Sequence, residues 1–200
     1  MRSMIFVACL VVTGIQPAVL YACGYDNPKS IALGTLNWIY PDALYVHTAV
    51  SQAERAGLLP PDKPGAQSGL FAFHRATSTM RSFGANLADP QLAKAGSSIS
   101  VVLIPQAMWT RFSVSPDGVT MQGHAEGPLD GDLVIVTEEK VIRALADETL
   151  DLATAEEKGL LRFYGNSEHI AKVRTALTKA SQPDQALQVR SPDAEPLASQ

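Results

Sequence analysis

The alternation of apolar and polar positions is clearest between Asp132 and Leu177. Residues 133–136 are a short apolar run typical of a buried strand, and Thr137 can cap the helix that follows. A brief acidic helix over residues 153–158 stops at Gly159, residues 160–164 indicate another strand, and Ser167 can cap a terminal helix. The order is strand, helix, helix, strand, helix. The expected buried faces are Val141, Ile142 and Leu145 on the first helix, and Ile170, Val173, Ala176 and Leu177 on the last.

The stretch before it has the period of β-structure. Residues 99–104 are rich in β-branched apolar side chains, and residues 109–114 alternate between apolar and polar. Ser115-Pro116-Asp117-Gly118 has Pro and Gly where a tight turn needs them, and residues 119–123 continue as the partner strand. The pattern predicts an antiparallel meander of two or three strands.

Residues 23–97 have a helical period. A short helix running towards Trp38 is followed, after Pro41, by a second helix whose apolar positions are Ala43, Val46, Val50 and Ala53. Residues 58–68 hold three prolines and one glycine and predict a loop. A third helix is expected over residues 69–87, closed by Asp89-Pro90, with Gly84 marking an early end or a close contact. Its apolar stripe is predicted as Leu70, Phe73, Thr77, Met80, Phe83 and Leu87.

The first 22 residues have the features of a cleaved secretory signal. Arg2 precedes an apolar run over residues 4–12, which is far shorter than the roughly 18–20 residues that a membrane span needs. Residues 20–23, Leu-Tyr-Ala-Cys, are similar to a bacterial lipobox, which would make Cys23 a lipid anchor; ordinary cleavage after Gly24 is the alternative. The expected location is the periplasm, with a possible membrane tether through Cys23. Residues 181–200, with three prolines, predict a disordered tail.

Composition narrows the function classes. The 200-residue chain is 46% hydrophobic and 18% charged, with a formal net charge of −4, which indicates a globular protein. Lys and Arg are scattered without a basic stripe, so nucleic acid is not an expected partner. After loss of the signal with Cys9, only Cys23 is left, which excludes disulfide scaffolds and zinc sites built from cysteines.

The motifs between residues 98 and 180 carry a family resemblance. Val134-Ile135-Val136-Thr137 ends a strand in threonine before a helix that contains Val141-Ile142; Leu150, Ala155, Gly159-Leu160-Leu161 and Tyr164-Gly165-Asn166 follow. In this order the chain resembles the sterol carrier protein 2-like (SCP-2-like) family. The resemblance implies an α+β fold with a mostly antiparallel five-stranded sheet covered by helices, here with an N-terminal helical extension. Residues 34–50 resemble helices of exported bacterial proteins.

The same resemblance implies a ligand and its place. Members of the family hold an apolar or lipid ligand between the sheet and its helices. An ordinary packed core is the alternative for each of the matching positions. Those positions are Val101, Leu103, Phe112, Val134, Val141, Leu145, Leu160, Ile170, Val173 and Leu177.

Sequence motifs for chemistry are absent. No G-x-S-x-G, S-x-x-K, H-E-x-x-H, P-loop or dinucleotide fingerprint occurs, so we expect a protein that is not an enzyme and needs no cofactor. The polar cluster with most potential is His124, Glu126, Asp130 and Asp132 on a glycine-rich loop, whose oxygen atoms suit Ca²⁺ or a lanthanide ion. Solvated loop carboxylates are the alternative.

Two functions from different classes follow. The first is an exported, non-enzymatic SCP-2-like protein that encloses an apolar ligand or docks to an exported protein partner. The second is a periplasmic accessory protein that binds a hard cation through the acidic loop. Trp38, Tyr40 and Tyr45 could form an exposed aromatic patch for a partner, or close the core.

Overall fold

The computed structural model describes residues 33–61, 69–104 and 106–180. The predicted signal peptide, Cys23 and the predicted tail lie outside these ranges. No helix within them is long and apolar enough to span a membrane. The elements are α1 (Leu33–Ile39), α2 (Ala43–Arg55), α3 (Gly69–Asn86), α4 (Pro90–Ala95), β1 (Ser98–Leu103), β2 (Met108–Ser115), β3 (Gly118–Gly123), β4 (Leu133–Thr137), α5 (Glu139–Ala146), α6 (Leu152–Glu157), β5 (Leu161–Tyr164) and α7 (Ser167–Ala180).

The five strands form one sheet in the order β3-β2-β1-β4-β5. The β1–β2, β2–β3 and β4–β5 pairs are antiparallel, whereas β1 and β4 are parallel. A parallel pair needs a long crossover, and here the crossover contains the β2–β3 hairpin. The expected α+β class with a mostly antiparallel five-stranded sheet is confirmed.

Helices cover both faces of the sheet. Phe112 is in register with Ile99, and Ile99 with Leu133, so these side chains share one face. That face is covered by α3, because the ring of Phe83 packs edge-on against Phe112 at 5.9 Å.

The opposite face carries Trp109, Val102 and Val136 in register. Tyr40, between α1 and α2, packs against Trp109 on this face, with ring centroids 6.1 Å apart. Since α2 also contacts β4 and β5, the α1–α2 hairpin is the layer over this side of the sheet.

The buried face of α2 is the predicted one, but that of α3 differs. Leu70 is 67% exposed, and the buried side chains are Ala72, Ala76, Met80 and Phe83, with Leu87 just after the helix. Small residues face the sheet here because the helix approaches it closely: a Cβ atom on Gly84 would lie 2.8 Å from Cε1 of Phe112. Gly84 therefore marks a close contact and not an early end.

Three predicted helix boundaries are corrected. Asp89-Pro90 starts α4, because the Asp89 carboxylate accepts hydrogen bonds from the backbone N–H groups of Gln91 and Leu92. Thr137 does not cap α5; its hydroxyl donates to the carbonyl of Leu160 at 2.9 Å and ties β4 to the start of β5.

The cap of α7 is the third correction. Asn166, and not Ser167, accepts from the first free N–H groups of this helix, those of Glu168 at 2.9 Å and His169 at 3.2 Å. Ser167 is the first helical residue. The predicted tight turn at Ser115–Gly118 is confirmed, with the Ser115 hydroxyl donating to the Gly118 carbonyl.

Candidate ligand-binding clefts

The ten residues that the family resemblance assigns to ligand contact lie in the core. Nine of them are buried, and Ile170 is partly buried against the same cluster. They pack with side chains from both helical layers and the sheet, as ordinary core residues do. Neither of the two clefts described below is lined by any of them. That these residues contact a ligand stays a prediction.

An apolar cleft lies between α4 and the β2–β3 hairpin. Its volume is about 470 Å³, and apolar surface predominates in its walls. Asp89 and Pro90 form one side of this cleft: Asp89 caps α4, and Pro90 occupies the first turn of that helix. The walls of this apolar cleft are Ala88, Asp89, Pro90, Ala93, Lys94, Val114, Ser115, Pro116, Gly118 and Val119.

One lysine lines the apolar cleft, and a second lysine lies beside the acidic residue in its wall. Lys94 lines it directly and is exposed. The Nζ atom of Lys179 lies 3.7 Å from Oδ2 of Asp89, so the one carboxylate in the wall has a cation beside it. This arrangement suits an apolar molecule with a polar or negatively charged end.

Asp89-Pro90 is the sequence signal for this cleft. Asp followed by Pro suits an N-cap and first helical position as well as it suits the end of the preceding helix. Reading Asp89-Pro90 as a start would have placed a short helix beside the end of the hairpin.

A second, polar cleft of about 390 Å³ lies near the N-terminus of α7. It is lined by residues 95–98, 130–132, Asn166, Glu168, His169 and Lys172. Burial, and the charge of Lys172, lower the pKa of His169, while the charge of Asp132 opposes this shift. The Nε2 atom of His169 is buried and has no hydrogen-bond partner in the described part of the chain.

The carboxylate of Asp132 is bound by several groups of the protein. Its Oδ2 atom accepts from the Ser100 hydroxyl at 2.6 Å, from the backbone N–H of Leu129 at 2.9 Å and from Nε of Arg111 at 3.0 Å. Burial raises the pKa of Asp132, but hydrogen bonds from Ser100, Ser98, Leu129 and Arg111 outweigh it and lower the pKa. Asp132 therefore fixes the loop to the sheet.

The four residues of the predicted cation site lie in different surroundings. Asp130 lies in the wall of the polar cleft, Glu126 is exposed, and the His124 ring packs against Phe73 at 4.7 Å. The side chain of Asp132 is 3% exposed and bound as above. Across residues 33–61, 69–104 and 106–180, no group of three or more His, Cys, Asp or Glu side chains is arranged to hold a metal ion.

A run of three buried charged residues follows β4. Glu138, Glu139 and Lys140 are 2%, 8% and 5% exposed. Oε1 of Glu138 lies 2.6 Å from Nδ1 of His47, and Lys140 contacts the carboxylate of Glu54. Acidic residues at this place in the sequence suit a helix N-terminus, and a strand-to-helix junction gives no sign of what packs on it.

Glu139 has partners of its own. Its carboxylate accepts from the Thr79 hydroxyl at 2.9 Å, from Nε of Arg75 at 3.2 Å and from Nη1 of Arg143 at 2.9 Å.

Burial raises the pKa of Glu138 to about 7, against the hydrogen bond and charge of His47. The run thus joins α5 to both α2 and α3 through ionisable groups.

The predicted aromatic patch is partly exposed. Trp38 is 89% and Tyr45 60% exposed, with Ile39 beside them at 63%. Tyr40 instead is buried between Trp109 and Tyr164. It belongs to the contact between the α1–α2 hairpin and the sheet.

No protein-family model matches the chain, and no curated protein matches it. Solved structures similar to it include the sec-alkylsulfatase Pisa1 from Pseudomonas sp., with a TM-score of 0.39 and 16% identity over 46% of this chain and 15% of that one. The chain thus spans less than a fifth of the sulfatase.

Sterol carrier proteins are also among the structural neighbours, as the sequence resemblance predicted. Sterol carrier protein 2-like 2 from Aedes aegypti has a TM-score of 0.39 and 13% identity, over 52% of this chain and 97% of that one. Sterol carrier protein 2 from Yarrowia lipolytica has a TM-score of 0.37 and 17% identity, over 59% and 99%. Likenesses of this strength concern the fold alone and assign no activity to this chain.

Proposed function

We propose that this protein is an exported, non-enzymatic binding protein that holds an apolar or lipid ligand in the apolar cleft. The observation that carries the proposal is the cleft itself, a concavity of about 470 Å³ with mainly apolar walls. Ligand sites for small molecules are typically about 300–1,000 Å³, mostly apolar, with a few polar groups that set orientation. Removing an alkyl chain from water into such walls contributes roughly 25 cal/mol per Å² of apolar area.

The rim of the cleft favours a ligand with one negative end. Lys94 lies in the wall, and Lys179 lies beside Asp89. A single-chain amphiphile would place its alkyl part along Ala93, Val114 and Val119 and its head group near Lys94. The ligand class that fits is therefore a fatty-acid-like molecule.

Titration with a fluorescent long-chain fatty acid tests this proposal. Ala93→Trp fills the cleft from α4, and Ala171→Trp adds the same side chain at an exposed position of α7. We expect Ala93→Trp to weaken binding at least tenfold and Ala171→Trp to leave it within twofold of wild type. Equal binding by all three proteins, or no binding by wild type, contradicts the proposal; Ala93→Leu serves in the same way if Ala93→Trp does not fold.

Export and a membrane tether are part of the proposal. They are supported by the apolar run over residues 4–12 and by Leu-Tyr-Ala-Cys at residues 20–23. The intact mass of the protein from the membrane fraction of its own cells tests both. A mass that corresponds to a chain beginning at a diacylglyceryl-modified Cys23 is expected, whereas an unprocessed N-terminus contradicts export.

A second candidate function, docking to an exported protein partner, is favoured by the exposed side chains of Trp38, Ile39 and Tyr45. Aromatic side chains of this kind are enriched at the centres of protein interfaces. Gentle co-purification with wild type and with Trp38→Ala/Tyr45→Ala tests it. A partner retained equally by both proteins would show that this surface is not the docking site.

A further inference from the structure

Two contacts between ionisable side chains join α2 to the start of α5. Oε1 of Glu138 lies 2.6 Å from Nδ1 of His47, and Lys140 contacts Oε1 of Glu54. The buried members are the side chains at the start of α5, 3% exposed for Glu138, which precedes the helix, and 5% for Lys140. The His47 side chain is 52% exposed. Solvent therefore reaches the Glu138–His47 pair from the α2 side.

The same hairpin covers an apolar part of the sheet. Tyr40 packs against Trp109 and Tyr164, with ring centroids 6.1 Å and 5.1 Å away. The hydroxyl of Tyr164 donates to the carbonyl of Pro41 at 2.7 Å. We call α1 and α2 together, residues 33–55, the helical cover. Trp109 is partly buried, and lifting the cover would expose the rest of its ring to water.

We propose that the proton held between Glu138 and His47 controls how tightly the helical cover is docked on the sheet. The cover is held most firmly when this proton is present and loosens when it is lost. Without the proton, a charged carboxylate remains in a buried position beside the ring of His47. Burying a charge is among the costlier changes in a protein interior, and the charge of Lys140 offsets only part of this cost, because the pKa of Glu138 stays raised.

The charged groups around Glu138 set the direction of the effect. Burial is the largest cause that raises its pKa to about 7, and the Glu54 carboxylate on α2 acts in the same direction. The hydrogen bond and charge of His47 on α2, and the charge of Lys140 on α5, oppose it. Arg75 on α3 and Arg143 on α5 face Glu139 instead.

The docked state therefore binds a proton that the lifted state releases. With the cover lifted, Glu138 meets water and has its ordinary pKa of 4.5. By linkage, docking is strongest below pH 4.5, weakens as pH rises from 4.5 to 7, and stays at its weaker value above that range. The cover is thus a device that responds to pH in the acid-to-neutral range.

Tryptophan fluorescence can report on the cover, because the chain has two tryptophans and Trp38 is 89% exposed. Trp38→Phe leaves Trp109 as the single reporter beneath the cover. We expect acrylamide to quench Trp109 at least twofold more strongly at pH 8 than at pH 5. In the same background, Glu138→Gln cannot ionise and should show equally weak quenching at both pH values.

A matched control is Glu168→Gln, which neutralises an exposed carboxylate on α7 and should keep the wild-type response. The proposal is overturned if Trp38→Phe shows no pH response, if Glu138→Gln keeps it, or if far-UV circular dichroism is lost together with the change. If Glu138→Gln does not fold, His47→Gln replaces it. Loss of the imidazole removes groups that lower the pKa of Glu138, so the midpoint should move to higher pH; an unchanged midpoint overturns the proposal.

Discussion

Gly84 of α3 and Phe112 of β2 are in direct contact, since a Cβ atom on Gly84 would lie 2.8 Å from Cε1 of the Phe112 ring. Phe112 is fully buried, and its ring also packs against Phe83. Because glycine has no side chain, the backbone of α3 can lie directly against the ring of Phe112. The contact fixes the distance between the helical layer and the face of the sheet that carries Ile99 and Leu133.

Gly84→Ala should therefore destabilise the protein, although alanine is the better helix former by about 0.5–1 kcal/mol. Overpacking a core commonly costs about 1–3 kcal/mol, which exceeds that gain. Urea denaturation is expected to show a net loss of about 1 kcal/mol, and Gly84→Ala should cause little further loss when it is added to Phe112→Leu. A Gly84→Ala protein more stable than wild type would mean that helix propensity dominates here.

Asp132 should be a structural carboxylate. Asp132→Asn leaves Arg111 without its charge partner, and breaking a buried pair typically costs about 3–5 kcal/mol. We expect a large loss in the free energy of unfolding at pH 7, against little change for the exposed Asp130→Asn. Equal effects of the two substitutions would contradict the assigned role.

The pH dependence of the Asp132 contribution follows from its lowered pKa. The native pKa lies below the ordinary 3.8, so the native state binds fewer protons than the unfolded state near that pH. The stabilisation is present in full above the unfolded pKa and is lost as pH falls through the native pKa. The stability difference between wild type and Asp132→Asn should shrink on acidification below pH 4, and a difference that grows there would refute the assignment.

Two neighbouring residues at the N-terminus of α7 provide a matched pair of substitutions. Asn166→Ala removes the side chain that accepts from the N–H groups of Glu168 and His169, and loss of such a cap costs about 1 kcal/mol. Ser167→Ala alters the neighbouring exposed residue that makes no cap and should stay within about 0.5 kcal/mol of wild type. Thermal unfolding of both variants compares them; a larger effect from Ser167→Ala would restore the boundary predicted from sequence.

The sheet and most helices can be predicted from the sequence because the patterns that indicate them involve residues close together in the chain. The alternation in residues 109–114, the Pro-Gly turn at Ser115–Gly118 and the apolar face of α2 each depend on neighbours only a few residues away. The predicted buried face of α3 is partly wrong, because apolar residues such as Leu70 lie at helical spacing but outside the contact with the sheet. Which side of a helix approaches the sheet depends on long-range contacts such as Gly84–Phe112.

The candidate site was harder to predict for the same reason. The apolar cleft joins α4 to the end of a hairpin more than 20 residues later, and no periodicity relates Ala93 to Val119. Glu138 contacts His47, which lies 91 positions earlier in the chain. The acidic loop shows the converse: its carboxylates are adjacent in sequence, yet Arg111 and Ser100 bind Asp132 for structure.

The measurement that tests the proposed function most directly is photo-crosslinking with a long-chain fatty acid that carries a diazirine near its methyl end. Mass spectrometry of the digested protein then maps the modified residues. The proposal predicts modification within residues 88–94 and 114–119, suppressed by an excess of unlabelled fatty acid and by Ala93→Trp. Saturable modification confined to core positions such as Val101, Leu145 or Leu177, or to the polar cleft at residues 130–132, would contradict it.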